Sequence, residues 1–165
     1  YDKIHLLDVD LATGESWRES ATYKGGDRAV TAPLDGAVLG LSICYDLRFP
    51  DLYAALSNAG ANILCVPSAF TVPTGKAHWE VLLRARAIES GAFVVAAAQC
   101  GTHEDGRSTY GHSRVVDPWG EVLLDMGKEL GVGFCDIDLD RISEVRSRVP
   151  AIANRRSFDL PEANR

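Results

Sequence analysis

Cys44 is the residue of this sequence that is best placed to act as a nucleophile. It ends an apolar run, residues 37–44, that is typical of a strand buried on both faces. A polar turn, residues 45–50, follows and leads into a predicted helix. A side chain at such a junction projects from the carboxyl end of a strand, where open α/β sheets place their sites, and backbone N–H groups of the turn can face a developing oxyanion. The alternative interpretation is that Cys44 is a small buried hydrophobic residue.

A thiol nucleophile needs a neighbouring group that removes its proton, because the pKa of a free cysteine is about 8.5. A histidine, a carboxylate or a nearby cation can provide this activation. The candidates for a Cys–His pair are His5, His78, His103 and His112. Two of them also have structural explanations, since His78 lies on a predicted helix and His112 begins a predicted strand. The histidine pattern alone therefore does not identify the activating group.

A zinc site is a weaker alternative. Cys100-Gly-Thr-His103 resembles half of a zinc-binding knuckle, and His112 could be a third ligand. A structural zinc site needs four ligands, however, and no second closely spaced pair follows. We therefore expect no metal.

Three charged residues could complete a site, but each also has an ordinary explanation. Lys3 begins an apolar run and is either a solvated edge lysine or a paired group. The role of Glu19 is ambiguous, because contacts with Arg18 and nearby loop residues could explain its presence. Arg48 could bind an anionic group of a substrate through its planar guanidinium, or it could pair with Asp46 or Asp51. The residues alone leave these alternatives open.

The elements that must position these residues alternate between short apolar runs and helical stretches. Strands are predicted over 4–9, 37–44, 62–66, 92–98, 113–117, 121–124 and 133–137, and helices over 51–59, 76–90 and 139–148. The strand–helix–strand order makes 37–44 and 62–66 parallel neighbours, and Pro118-Trp119-Gly120 indicates a hairpin turn. From about residue 150 we expect an irregular arm. The pattern predicts one α/β layer structure.

Composition excludes several classes of protein. The chain has 165 residues with 17 Lys+Arg against 23 Asp+Glu, and this acidic balance argues against a nucleic-acid binder. The longest apolar stretch, residues 92–98, is too short to cross a bilayer, so we expect no membrane association. Four widely spaced cysteines are typical of reduced thiols, which favours a cytoplasmic location. Because the sequence starts at Tyr1 inside a strand-like run, we expect N-terminal sequence to be missing.

Taken in order, several motifs resemble the nitrilase superfamily of carbon–nitrogen hydrolases over essentially the whole chain. These motifs are residues 1–6, 40–50, 67–70, 74–80, 84–89, 94–101, 110–113 and 116–120. The last three look most like the branch of the deaminated glutathione amidases, which are relatives of ω-amidase. The resemblance implies a four-layer αββα sandwich, of which residues 1–165 would be the C-terminal portion without the N-terminal strands and helices.

The same resemblance implies a Glu–Lys–Cys triad. Cys44 would be the nucleophile, Lys3 the cation, and Glu19 the second glutamate that orients the lysine and the substrate. The first glutamate, the general base, lies upstream of the lysine motif in the family. Only Tyr1 and Asp2 stand there in this sequence, so we expect the base in sequence that is not shown.

Substrate contacts are implied as well. The Lys3 ammonium and the Tyr45 N–H would stabilise the oxyanion, Arg48 and Thr74 would hold a distal carboxylate, and Phe70 would form a pocket wall. From the residues alone, loop packing explains Phe70 and helix capping explains Thr74 equally well.

The activity expected from the resemblance is hydrolysis of a small amide through a thioester, without cofactor and in a homo-oligomer such as a dimer. The substrate would be deaminated glutathione, which gives α-ketoglutarate and cysteinylglycine. The alternatives are an ω-amidase that acts on α-ketoglutaramate and a truncated binding module without catalysis.

Overall fold

A computed structural model describes residues 1–10, 14 and 16–159 of the chain. The strands are β1 Asp8–Asp10, β2 Ser16–Arg18, β3 Val30–Leu34, β4 Ala37–Leu41, β5 Ile63–Cys65, β6 Phe93–Ala96, β7 Cys100–Thr102, β8 Ser108–Tyr110, β9 Arg114–Val116 and β10 Val122–Asp125. The helices are α1 Pro50–Asn58, α2 Val72–Thr74, α3 Glu80–Ser90 and α4 Asp140–Arg148. Among the residues described, no helix combines the length and apolar character needed to cross a membrane.

A six-stranded mixed sheet organises the fold, in the order β10-β9-β6-β5-β4-β3. Three adjacent strands, β4, β5 and β6, run parallel, which confirms the predicted pairing of 37–44 with 62–66. Antiparallel strands flank them on both sides, and β9–β10 is the hairpin predicted around Pro118-Trp119-Gly120. The carboxyl ends of the three parallel strands therefore lie along one edge of the sheet.

One face of the sheet is covered by α1 and α3. Strand side chains alternate between faces, so Leu64 and Val94 point into this layer and are fully buried. Ile63 and Phe93 point the other way and pack on Ile142 of α4. Each fully buried Leu, Val or Phe side chain contributes about 1.5–3 kcal/mol to folding. This core therefore holds the carboxyl ends of the parallel strands in place.

The helix predicted over 76–90 begins at Glu80 and follows a π-helical turn, Gly75–Trp79. A Cβ on Gly75 would lie 2.2 Å from the Tyr110 ring, so this turn needs glycine to pack closely on β8. The buried face of α3 is formed by Leu83 and Ala87, while Val81 is 66% exposed.

Two predicted strands are wrong or too long. Residues 133–137 form no strand, and Phe134 is 89% exposed. Alternating apolar residues indicate a strand only where a neighbour supplies hydrogen bonds, and within the residues described none pairs with this segment. The first strand is Asp8–Asp10 and overlaps the predicted 4–9 at residues 8 and 9 only, whereas residues 4–7 form a loop that follows Lys3. After Arg148 the described residues form a turn at 151–154 and otherwise irregular backbone.

Candidate active site

Cys44 begins a short 3-10 turn, Cys44–Arg48, three residues after β4 ends at Leu41. The predicted strand therefore stops earlier than expected, but the thiol still lies at the carboxyl edge of the parallel strands. The backbone of Cys44 is left-handed, with φ 50°, and its N–H donates to Pro67 O at 2.9 Å. This conformation costs a non-glycine residue about 1–3 kcal/mol, and such strain is concentrated at functional sites. A sharp turn of this kind after a strand is the geometry that a nucleophile elbow requires.

Lys3 and Glu19 form an ion pair beside Cys44. Lys3 Nζ lies 2.5 Å from Glu19 Oε2, and the same oxygen accepts the Leu7 N–H at 2.7 Å. All three predicted catalytic residues line one cavity of about 880 Å³, which we call the lysine cavity. The structure thus brings Lys3, Glu19 and Cys44 together, and the solvated-lysine alternative is wrong.

Two opposing influences act on the thiol. Burial is the larger and raises the pKa of Cys44 above its ordinary value. A hydrogen bond from the Ala69 backbone and the charge of Lys3 lower it in part. The thiol is therefore protonated at neutral pH, and a base must remove its proton before it can attack.

We expect alkylation of Cys44 by iodoacetamide to be slow at pH 7 and to accelerate with rising pH, with a midpoint above the value of about 8.5 of a free cysteine. The sign follows from burial, which penalises the thiolate more than Lys3 stabilises it. Peptide-level mass spectrometry across pH 6–11 measures the profile, with free cysteine in the same tube as reference. A midpoint below that of free cysteine contradicts the prediction.

A second cavity of about 270 Å³, the arginine cavity, also borders Cys44. It is lined by Leu7, Val9, Cys44, Tyr45, Arg48, Ala69, Phe70, Thr71, Thr74 and His78. Its lining is mostly apolar, with the Arg48 guanidinium as its cation. The four residues predicted to bind substrate, namely Tyr45, Arg48, Phe70 and Thr74, all lie in this wall.

Arg48 is held by aromatic and histidine contacts. Its guanidinium carbon lies 5.3 Å from the Phe70 ring centre and 5.9 Å from that of Tyr45, and Nη1 is 3.2 Å from His78 Nδ1. Among the residues described, Arg48 forms no ion pair with Asp46 or Asp51, so those alternatives are wrong. Its charge is available to a ligand in the arginine cavity.

Phe70 and Thr74 have both packing and pocket roles. Phe70 packs against Trp79 in a tilted arrangement, with 4.8 Å between ring centres, while it lines the cavity. Thr74 occupies the N-cap position of the π-helical turn, but its side chain makes no capping hydrogen bond and its hydroxyl lies 2.8 Å from the Thr71 hydroxyl. The capping interpretation of Thr74 is therefore wrong.

The other chemical candidates bond elsewhere. The His112 ring lies 2.9 Å from Asp125, His103 hydrogen-bonds Thr109 at 2.8 Å, and His5 lies 2.7 Å from Asp46. The possible zinc ligands of the sequence do not converge, and within the described ranges no three metal-binding side chains do so. Only His78, of the four histidines, shares the arginine cavity with Cys44.

Two features of the site were missed by the sequence analysis. His78 was weighed as a base and not as a partner of Arg48, and Asp46 was weighed only as a partner of Arg48. Both contacts join residues 30 or more positions apart. Spacing signals report neighbours within a turn or a strand, so no local pattern could have identified them.

Comparisons with known proteins identify the family of this chain. The family model described as carbon-nitrogen hydrolase matches residues 1–147. The chain belongs to the carbon–nitrogen hydrolase family. A curated relative named deaminated glutathione amidase, from Dictyostelium discoideum, is 51% identical over 158 residues, which cover 94% of this chain and 54% of the relative.

Solved structures in the family are similar in fold. The NitFhit protein of C. elegans has a TM-score of 0.84 at 44% identity and covers 94% of this chain and 38% of its own. A variant of the amidase from Nesterenkonia sp. AN1, which shows Michael addition of acrylamide at the active site cysteine, has a TM-score of 0.72 at 30% identity and covers 91% of this chain and 56% of its own. The predicted nitrilase-type α/β fold is confirmed. The chain spans about half the length of the curated relatives that it matches.

Proposed function

We propose that the whole protein hydrolyses a non-peptide amide C–N bond through a thioester on Cys44. The observation that carries the proposal is the meeting of two cavities at this thiol, one with the Lys3–Glu19 pair and one with Arg48. A carboxylate base, as in the family's Glu–Lys–Cys triad, takes the thiol proton as the Sγ–C bond forms. The C–N bond then breaks, and the proton passes to the leaving nitrogen.

The second half of the reaction reverses these roles. Water loses a proton to the same carboxylate and attacks the thioester, the C–S bond breaks, and the proton returns to the sulfur of Cys44. In both halves the Lys3 ammonium and the Tyr45 N–H stabilise the oxyanion. Glu19 holds Lys3 in place through the 2.5 Å contact, so it serves as an orienting carboxylate.

Deaminated glutathione is the substrate that we propose, with α-ketoglutarate and cysteinylglycine as products. Relatives at 46–51% identity carry the name deaminated glutathione amidase, which supports this choice. The arginine cavity adds chemical support, because its apolar wall suits a short acyl chain and Arg48 suits the distal carboxylate. α-Ketoglutaramate presents the same acyl group with ammonia as the leaving group.

The test is a comparison of kcat/KM for deaminated glutathione and α-ketoglutaramate with the whole protein. We expect turnover of both and a higher kcat/KM for the first. A preference for α-ketoglutaramate makes the protein an ω-amidase. Absence of turnover with either, in a folded sample, supports a binding module and rejects the proposal.

Replacement of Arg48 by glutamine should raise KM for these substrates by about 10- to 100-fold, because a hydrogen bond to a charged group contributes about 1.5–3 kcal/mol. We expect a smaller change in kcat, since the carboxylate lies away from the reacting carbonyl. Arg28→Gln is the matched control, because the Arg28 side chain is 87% exposed. An unchanged KM in Arg48→Gln would remove the guanidinium from the binding site.

A further inference from the structure

Asp46 is a completely buried carboxylate two residues after Cys44. Its Oδ1 accepts the His5 N–H at 2.9 Å and lies 2.7 Å from His5 Nδ1. Its Oδ2 accepts the Tyr1 hydroxyl at 2.7 Å and the Ile43 N–H at 2.9 Å. Each oxygen thus has two partners, which satisfies a buried carboxylate that would otherwise be very costly.

The positions of these partners link two parts of the site. Tyr1 and His5 stand two residues before and two residues after Lys3, and Ile43 directly precedes Cys44. One side chain therefore anchors both flanks of the cation and the turn that presents the nucleophile. The His5 ring also stacks on Phe49 with 3.6 Å between ring centres, which fixes the same segment from the other side.

The same contacts show what Asp46 does not do. With two partners on each oxygen, the carboxylate has little capacity left to accept the proton of the Cys44 thiol. Burial and the hydrogen bond to Asp46 raise the pKa of Tyr1, so this phenol remains a donor to the carboxylate over the working pH range. Asp46 is therefore close to Cys44 in the sequence but anchors Tyr1, His5 and Ile43 instead of acting as the base.

We infer that Asp46 is a positioning residue for the proposed amide hydrolysis, holding the Lys3 segment against the Cys44 turn. The effect on catalysis that we attribute to Asp46 rests on the proposed function. Its geometric content, the distance between the Lys3 ammonium and the Cys44 thiol, can be measured without any substrate.

The experiment compares Asp46→Asn with the whole wild-type protein. An asparagine amide replaces one acceptor oxygen with a donor, so the backbone N–H of either His5 or Ile43 loses its acceptor and the Lys3 segment is held less firmly against the Cys44 turn. We expect kcat to fall by about 10- to 100-fold, as for other displacements of about 1 Å in an active site, while KM changes by less than about threefold since Arg48 is untouched.

The second readout is the pH profile of Cys44 alkylation, recorded below the melting temperature. We expect the midpoint to move to higher pH, because the Lys3 charge that favours the thiolate moves away. Loss of the Asp46 charge alone would move the midpoint to lower pH. An upward shift therefore reports the displacement of Lys3 and not the change of charge at residue 46.

Asp117→Asn is the matched control. Asp117 is also a buried aspartate in a turn, and it accepts backbone N–H groups of Trp119 and Glu121, but it lies in the β9–β10 hairpin. We expect this variant to lose stability while kcat and the alkylation profile stay as in the wild type. The same shift in both variants would show general destabilisation and overturn the inference.

Other outcomes also decide the matter. A wild-type kcat with an unmoved or lowered midpoint in Asp46→Asn overturns the positioning role. If Asp46→Asn does not fold, Tyr1→Phe removes one contact and keeps the ring. This variant should give a smaller upward shift of the alkylation midpoint, and no shift overturns the inference.

If wild-type protein hydrolyses no amide, the proposed function fails, whereas the alkylation profiles still decide whether Asp46 positions Lys3.

Discussion

Replacement of Cys44 by alanine should reduce kcat for deaminated glutathione by about 10⁴-fold or more, as in other enzymes that lose a covalent nucleophile. The thioester cannot form without sulfur, and an unassisted water molecule would have to attack the amide. The fold should tolerate the change, because alanine removes one atom from a side chain that borders two cavities. Steady-state rates and a thermal melt measure the two effects.

Cys65→Ala is the control for the nucleophile. Cys65 lies at the carboxyl end of the neighbouring strand β5 and is a free thiol like Cys44, but it borders neither cavity. We expect this variant to keep the wild-type kcat. Turnover by Cys44→Ala at the wild-type rate would end the thioester mechanism. If His78→Gln loses activity while Arg48→Gln keeps it, a Cys–His hydrolase would be favoured instead.

Lys3→Met should lower kcat by about 10²- to 10³-fold, the usual cost of losing one oxyanion donor. Methionine keeps much of the length of the side chain but has no charge, so the developing oxyanion loses its ammonium partner. The Glu19 carboxylate also loses the contact at 2.5 Å and keeps the Leu7 N–H. The midpoint of Cys44 alkylation should move to higher pH, because Lys3 lowers the thiol pKa.

Lys128→Met provides the comparison for Lys3, since Lys128 is exposed and lines neither cavity. It should leave kcat and the alkylation profile unchanged. Equal kcat values for Lys3→Met and the wild type would mean that the oxyanion is stabilised by other groups. A large rise in KM with an unchanged kcat would reassign Lys3 to ground-state binding of the substrate.

Local signals predicted much of the fold. The parallel strands around 37–44 and 62–66, the helix that ends at Gly91 and the hairpin at Pro118-Trp119-Gly120 all follow from short apolar runs and turn residues. The segment 133–137 shows the limit of this approach. Its alternation is as regular as that of a strand, but pairing depends on a neighbour that the pattern itself does not specify.

Some residues of the candidate site could be predicted from the sequence more readily than others. Cys44 stands out from its position at the end of a strand, whereas Lys3 and Glu19 gained a role only through the resemblance to a family. Their pairing joins residues 16 positions apart, and the contacts of Asp46 with His5 and Tyr1 span 41 and 45 positions. Such contacts depend on the packing of the whole chain, and neither helical nor strand periodicity carries that information.

The left-handed backbone at residue 44 restricts any attempt to exchange the nucleophile. A φ of 50° is tolerated by unbranched side chains but is a severe strain for β-branched ones. Serine would therefore fit this elbow as an alcohol nucleophile, whereas threonine would distort it despite carrying the same functional group. Of these two substitutions, Cys44→Ser is the practical starting point for directed evolution toward an alcohol nucleophile.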